Sequence, residues 1–139
     1  MTQKPYLTNL ASEFHVLSAL SRKGYDASLT LGNCKSVDIT VVLEEGRAVT
    51  IDVKAVAGKN DWLLGNSQPR VAKNHFIVLV GYEGYFSDPG KMPRLWVLPS
   101  QRLSKHVKVA KNEKTRYISR KEWKTVGKAY EGKWELLER

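Results

Sequence analysis

Two aspartates in this sequence occupy positions where the neighbouring residues favour β-strands. Asp38 lies near the start of the apolar run 37–43, and Asp52 lies inside a second such run, 48–54. Aspartate is depleted in strands and is costly to bury without a partner. Aspartates in two adjacent runs therefore need an explanation, and joint binding of a hard cation fits the chemistry of their carboxylates.

The segment between the two runs determines how the aspartates are placed. Glu44-Glu45-Gly46 favours a tight turn, so the two runs predict an antiparallel hairpin. Asp38 and Asp52 lie about equally far from this turn. We therefore expect both carboxylates at the same end of the hairpin.

Lys54 adds a positive charge to this group. Because side chains two residues apart on a strand point the same way, Asp52 and Lys54 share one face and Val53 points to the other. Mg²⁺ usually binds through one or two carboxylates and keeps several waters, so the predicted group suits it. A plainer interpretation is also open, in which Asp38 satisfies a turn near residues 34–36 and Asp52 pairs with Lys54 on an edge strand.

These residues resemble the active site of the PD-(D/E)xK nuclease superfamily. Glu13, Asp38 and the tripeptide Asp52-Val53-Lys54 follow its order, and their spacing is most similar to that of the archaeal Holliday junction resolvases. The resemblance implies a restriction-endonuclease-like α/β fold, with a mixed sheet flanked by helices, and suggests a homodimer. The sequence departs from the pattern at Val37, where the family has proline, and at Asp52, where glutamate is commoner.

The resemblance also implies a role for each residue. Asp38 and Asp52 would hold Mg²⁺, for which Mn²⁺ could substitute, with help from the Val53 carbonyl. Glu13 would bind a metal water or a second ion, although a glutamate on an amphipathic helix is as often simply solvated. Lys54 would orient or deprotonate the attacking water. Independently of the family, a metal that lowers the pKa of water and offsets charge on phosphate suits this group of residues.

The remaining pattern predicts a single mixed α/β domain over residues 1–139, with a basic C-terminal segment from about 100 to 139. Apolar spacing predicts an amphipathic helix at its start, and continuous apolar runs predict buried strands. The predicted elements are a helix at 7–23, a strand at 25–31, the hairpin at 37–54, an irregular segment at 58–74, strands at 75–80 and 94–98, a short helix at 100–105, a basic loop or strand up to 118, and a helix at 119–128. The helix that the family has after its third strand is not evident in 58–74.

The charge is unevenly distributed along the chain. The formal net charge is +9, of which residues 1–60 carry +1 and residues 61–139 carry +8. Such an excess favours a polyanionic partner, because a lysine or arginine near a phosphate releases a condensed counterion. A solvated surface that only keeps the protein soluble is the alternative. The candidate contacts to nucleic acid are Lys35, Lys59, Arg102, Lys105, Lys108, Lys111, Lys114 and Arg116.

Other classes of function receive little support. The single cysteine, Cys34, excludes an internal disulfide and a cysteine-rich zinc site. The first residues lack a signal-peptide pattern and no apolar run is long enough for a membrane span, so we expect a cytoplasmic protein. His15, His75 and His106 have no metal-ligand spacing and are expected at the surface or at the edge of the core. The four tryptophans are expected to pack inside: Trp62, Trp96, Trp123 and Trp134.

Together these features predict a Mg²⁺-dependent endonuclease that hydrolyses phosphodiester bonds in DNA, with a selectivity for DNA structure like that of the resolvases. A nuclease fold that binds nucleic acid without cutting it is the main alternative. A basic assembly protein of an RNA particle is a third interpretation, but it leaves Asp38 and Asp52 unexplained.

Overall fold

The computed structural model describes residues 4–30 and 37–139, which form a mixed α/β fold. Lys35 and the end of the predicted first strand lie outside the described residues. The helices and strands are α1 (Pro5–Arg22), β1 (Asp26–Leu29), β2 (Ile39–Val42), β3 (Ala48–Val56), β4 (Trp62–Gly65), β5 (His75–Gly81), β6 (Arg94–Pro99), α2 (Ser100–Leu103), β7 (Lys108–Val109), β8 (Arg116–Ile118) and α3 (Arg120–Val126).

The strands form two sheets. Five of them lie in the order β1-β2-β3-β5-β6, and the other three lie in the order β4-β8-β7. In the larger sheet β3 and β5 are parallel, whereas the remaining neighbours are antiparallel. The mixed sheet with flanking helices and the hairpin of β2 and β3 are therefore confirmed.

The two central strands differ in how they are buried. Every residue of β5 is buried, as its continuous apolar run predicts. Along β3 the pattern alternates, so that Val49, Ile51 and Val53 are buried while the intervening residues are only partly covered. One face of β3 thus belongs to the core, and the other carries Asp52 and Lys54.

The smaller sheet packs on the face that carries Lys54. Leu79 on β5 is the register partner of both Lys54 and Trp96, and directly opposed residues point to the same face. The Trp62 ring, from β4, lies 5.3 Å from the Trp96 ring. The second sheet therefore covers β6 beside the polar part of β3, and the tryptophans pack inside as predicted.

The first helix buries an unexpected face. An amphipathic helix ordinarily packs its apolar stripe on the core, but Leu7, Leu10 and Phe14 are 40%, 48% and 51% exposed. The buried stripe consists of Thr8, Ser12, Val16 and Leu20. The Ser12 hydroxyl donates to the Thr8 carbonyl at 2.6 Å, which satisfies this buried polar group within the helix.

The prediction that residues 58–74 are irregular is wrong in part, because they contain β4. This strand pairs with β8, which lies more than fifty residues further along the chain. Its four residues give too short a pattern to recognise, and the pairing that stabilises it is distant in sequence. The predicted helix after Ser119 is confirmed, and the Ser119 hydroxyl caps it by accepting the Glu122 N–H at 3.4 Å. Within the described residues, no helix is both long and apolar enough to cross a membrane.

Candidate metal and phosphodiester site

Asp38 lies where the ladder between β2 and β3 ends. On β3 the Thr50 N–H donates to the Asn74 carbonyl, on the β5 side. Because successive amides alternate in direction along a strand, the Val53 N–H points to the β2 side. There it donates to Asp38 Oδ2 at 2.7 Å. If β2 were longer, one of its backbone carbonyls would accept this hydrogen bond. Here the Asp38 carboxylate accepts it instead.

This hydrogen bond places the Asp38 carboxylate beside Asp52. The Asp52 Cα is about 2.4 Å from the Val53 nitrogen, so Asp38 Oδ2 lies within about 5 Å of that Cα, given its 2.7 Å hydrogen bond. The register agrees, since Ile39 opposes Ile51 and the next position along each strand is an aspartate. The structure thus brings the two aspartates to one end of the hairpin.

Asp52 has a buried partner. His75 Nε2 lies 3.1 Å from Asp52 Oδ2, and His75 Nδ1 lies 2.7 Å from the Thr50 hydroxyl. A carboxylate can only accept, so Nε2 donates to Asp52, and in the neutral ring Nδ1 accepts from Thr50. His75 is 1% exposed and Asp52 is 22% exposed. The histidine therefore holds one carboxylate oxygen from the interior and leaves the rest of the group facing outward.

This role of His75 was missed at the level of sequence, where the residue was expected at the surface or at the core edge. The available signal was its position at the start of the apolar run 75–80, because a polar residue that is buried there must have a hydrogen-bonding partner. The partner is set by the parallel register, in which Thr50 opposes His75.

The oxygen atoms near Asp38 suit a hard cation. In a strand the N–H and C=O of one residue point to the same side, so the Val53 carbonyl points toward Asp38 where the ladder to β2 has ended. Two carboxylates and a carbonyl are ligands that Mg²⁺ accepts. Lys54 shares the face of Asp52 and is partly exposed, which places a positive charge at the same surface.

Glu13 stands apart from this arrangement. It lies half-buried on α1. Among residues 4–30 and 37–139, no three histidine, cysteine, aspartate or glutamate side chains come together closely enough to hold a metal ion. The described arrangement is thus a pair of aspartates with a lysine.

The basic residues proposed for nucleic acid separate into groups. Lys111 and Lys114 are exposed in the turn between β7 and β8. Lys108 forms an ion pair with Glu122 at 2.6 Å, and this hydrogen bond raises the pKa of the Lys108 ammonium. Arg116 donates to the Lys114 carbonyl and is half-buried. The remaining ones, all exposed, are Lys59 beyond β3, Arg102 on α2 and Lys105 just after it.

Two cavities continue from the end of β3. One of about 540 Å³ lies between the start of α1 and the segment after Lys54, and its lining includes Thr8, Asn9, Gly58 and Asp61. The other is more basic and also contacts Asp61. Neither is lined by Asp38, Asp52 or Lys54, which are all partly exposed.

Comparison with known proteins supports the fold. Neither the protein-family models nor the curated proteins that were compared match this sequence. Among solved structures, the chain is similar to that of a bacterial homing endonuclease, I-Ssp6803I, with a TM-score of 0.62 and 15% sequence identity. The match covers 98% of this chain and 95% of the endonuclease chain. The chain therefore shares the fold of a nuclease.

Proposed function

We propose that this protein is a metal-dependent endonuclease that hydrolyses phosphodiester bonds in DNA. The observation that carries the proposal is the position of the Asp38 carboxylate. It lies at the end of the strand ladder, where it accepts the Val53 N–H next to Asp52. Lys54 lies on the same face as Asp52. A structural role accounts for the hydrogen bond that Asp38 accepts from the Val53 N–H and for the one that Asp52 accepts from His75, but it gives no reason for an ammonium on the same face.

Each residue of the site has a defined task in this proposal. Asp38, Asp52 and the Val53 carbonyl hold Mg²⁺ or Mn²⁺, and Glu13 contacts it through water or binds a second ion. When bound there, such an ion would supply Lewis-acid chemistry: it would lower the pKa of a water and offset the charge that builds on the phosphate oxygens. Lys54 orients the attacking water and accepts its proton or compensates the phosphate charge. His75 keeps the Asp52 carboxylate in one orientation.

Two further features support DNA as the substrate. The net charge of +9 favours binding to a polyanion. The structural neighbour is a homing endonuclease. At 15% identity the match shows a shared fold, and that fold is compatible with an endonuclease function. The superfamily resemblance and a preference for branched DNA remain part of the proposal, since both rest on Glu13, Asp38, Asp52 and Lys54.

The proposal includes a homodimer formed through the outer face of α1. Leu7, Leu10, Phe14 and Leu17 follow one another at intervals of three, four and three residues, which is the spacing of a two-helix seam. The first three are 40–51% exposed. An apolar stripe of this kind on a helix of a soluble domain is a common mark of an interface, and a second copy of the same helix presents a matching stripe.

The decisive experiment is a nicking assay on duplex, single-stranded, flap and four-way-junction DNA, with Mg²⁺, with Mn²⁺ and with EDTA. We expect cleavage that requires the ion and that Asp52→Asn abolishes, while DNA binding is kept or strengthened because a negative charge is removed. Calorimetry with Mn²⁺ should show binding that Asp52→Asn removes. If the wild-type protein binds DNA but cuts none of these substrates and binds no Mn²⁺, a non-catalytic binding module is the correct assignment.

A further inference from the structure

The second cavity, of about 460 Å³, is strongly basic. It lies beyond the ends of β3 and β5 and beside the first turn of α3. Five of its seven lining side chains are cationic and two are acidic. The lining residues are Lys59, Asp61, Glu83, Arg94, Arg120, Lys121 and Lys124.

The two arginines of this cavity already have partners. The Arg120 guanidinium forms an ion pair with Glu83, and the Arg120 backbone N–H donates to Asp61 Oδ1 at 2.7 Å. Arg94 donates two hydrogen bonds to Glu131, both at 2.8 Å, and these bonds lower the pKa of the Glu131 carboxyl. Of the two acidic side chains that line the cavity, Glu83 is therefore paired with a guanidinium and Asp61 accepts a backbone N–H.

The three lysines are in a different situation. Lys59, Lys121 and Lys124 are exposed. No carboxylate within the described parts of the chain, 4–30 and 37–139, forms an ion pair with any of them. Three ammonium groups that face one cavity repel one another, so an anion bound between them is favoured.

The floor of the cavity is held firmly in place. The Arg120 side chain is 12% exposed, and its guanidinium lies 4.5 Å from the centre of the Trp62 ring and 5.5 Å from that of Trp96. Gly81 lies beneath it, and a Cβ added there would come within 3.1 Å of Arg120 Nη1. The missing side chain at Gly81 thus makes room for the guanidinium. A fixed floor lowers the entropic cost of binding.

The strand register gives the approximate distance between this cavity and the candidate catalytic face. Lys54, Leu79 and Trp96 form one row across three strands, and the next row on the same face is Val56, Gly81 and Arg94. With about 4.8 Å between strands and about 3.3 Å per residue, Gly81 and Arg94 lie roughly 8–12 Å from Lys54. Successive phosphates of one DNA strand advance about 3.4 Å along the axis and also turn about it, so that neighbours lie roughly 6–7 Å apart and this separation corresponds to roughly one to two nucleotides.

We infer that the Lys59, Lys121 and Lys124 cavity is a phosphate subsite, which binds a backbone phosphate of the cut strand roughly one to two nucleotides from the scissile bond. This inference rests on the proposed function for its substrate. The ligand is a phosphate monoanion of the diester backbone, held by three ammonium groups over a floor formed by Arg120, which is itself packed on Trp62 and Trp96. The subsite fixes the register of the strand on the catalytic face, in the way that phosphate contacts generally position a nucleic acid.

The test uses the triple variant with alanine at Lys59, Lys121 and Lys124. Its control has alanine at three exposed lysines that do not line the cavity, namely Lys23, Lys73 and Lys133. We expect the log–log salt dependence of duplex binding to become shallower by about 0.9 for the lost phosphate contact in the triple variant and to stay unchanged in the control. Equal slopes in the triple variant and the wild type would overturn the inference.

The position of the contact is measured with oligonucleotides that carry one uncharged methylphosphonate at successive positions. Wild-type binding should weaken when the neutral linkage is roughly one to two nucleotides from the cut, and the triple variant should be insensitive there. If the triple variant keeps the wild-type profile while cleavage proceeds, the subsite is wrong and the nuclease function stands. If no cleavage occurs but one methylphosphonate position weakens binding by the wild type and not by the triple variant, the phosphate contact of the cavity stands and the nuclease function fails.

Free phosphate is a second source of the same ligand chemistry. Calorimetry with inorganic phosphate at constant ionic strength separates the two sources. Weak or no binding of inorganic phosphate, together with a methylphosphonate-sensitive position, supports a backbone subsite. Tight binding of inorganic phosphate by the wild type alone, with no sensitive position in DNA, would overturn the assignment to the DNA strand.

Discussion

His75 Nε2 lies 3.1 Å from Asp52 Oδ2, and the histidine is almost completely buried. The other ring nitrogen contacts the Thr50 hydroxyl at 2.7 Å, so the ring is fixed at both ends. A carboxylate held in this way keeps one orientation. Ligands that are supported by a second hydrogen-bonded residue bind metals more tightly than unsupported ones. The contact therefore connects the interior of β5 with the proposed metal site on β3.

Replacement of His75 tests this connection. We expect His75→Ala to weaken Mn²⁺ binding by about 10–100-fold, the usual effect of losing a partner of a metal ligand. His75→Gln should recover part of the affinity, because its amide can still donate to Asp52. Calorimetry measures the affinity, and circular dichroism verifies the fold. His15→Gln, which changes a histidine of α1, is the control. If this control lost as much Mn²⁺ affinity as His75→Ala, a specific role of His75 would be contradicted.

Two substitutions at Asp38 separate its structural role from its proposed metal role. Asn can still accept the Val53 N–H, so Asp38→Asn should retain most of the stability and lose the metal. Asp38→Ala leaves that N–H without its acceptor and should also lower the free energy of unfolding by about 1–3 kcal/mol. Urea denaturation and Mn²⁺ calorimetry on both variants provide the comparison. Undiminished Mn²⁺ binding by Asp38→Asn would remove Asp38 from the metal site.

Lys54 is expected to act on the reaction rather than on metal binding. Lys54→Ala should bind Mn²⁺ with unchanged affinity and cut DNA about 10²–10⁴-fold more slowly, the range typical of a lost acid–base group. The measurement is the single-turnover rate with saturating metal and DNA. Lys133→Ala is a useful control, because Lys133 is exposed and belongs neither to this group nor to the basic cavity. Equal rates for Lys54→Ala and the wild type would exclude Lys54 from the chemical step.

The turn between β7 and β8 should contribute to DNA affinity in proportion to its unpaired charges. Lys111→Glu and Lys114→Glu remove exposed charges, and each should make the salt dependence shallower without altering metal binding. Lys108→Glu should have a smaller effect on DNA, because Lys108 is already paired with Glu122. Fluorescence anisotropy over a series of salt concentrations measures the slopes. If all three slopes equal that of the wild type, the turn is only a solvated surface.

The outer stripe of α1 should control self-association. Leu10→Lys and Phe14→Lys place a charge on a face that is already solvent-exposed, so the monomer should remain folded while the dimer dissociates. Sedimentation equilibrium measures the molar mass, and thermal denaturation verifies the fold. Val71→Lys alters an apolar residue of similar exposure outside α1 and should leave the mass unchanged. A wild-type protein that is monomeric at high micromolar concentration would contradict the proposed interface.

The sequence by itself determined the hairpin and the relative placement of Asp38, Asp52 and Lys54. These depend on local rules, namely a turn at Glu44-Glu45-Gly46 and the two-residue alternation of a strand. The same holds for the buried strand at 75–80 and for the cap at Ser119, since each is specified within a few residues. Such features need no knowledge of what the rest of the chain does.

Only the tertiary structure decided which groups support the site. Thr50 opposes His75 because β3 and β5 are parallel, and the crossing that sets this register runs through residues 57–74, including β4. Tertiary packing likewise decides which face of α1 is buried, because the small Thr8 and Ser12 face inward while Leu10 faces outward. Hydrophobic periodicity finds a helix, but packing against other elements decides which of its faces is buried. Contacts between segments far apart in sequence depend on strand order and register, and no short stretch of this chain encodes either.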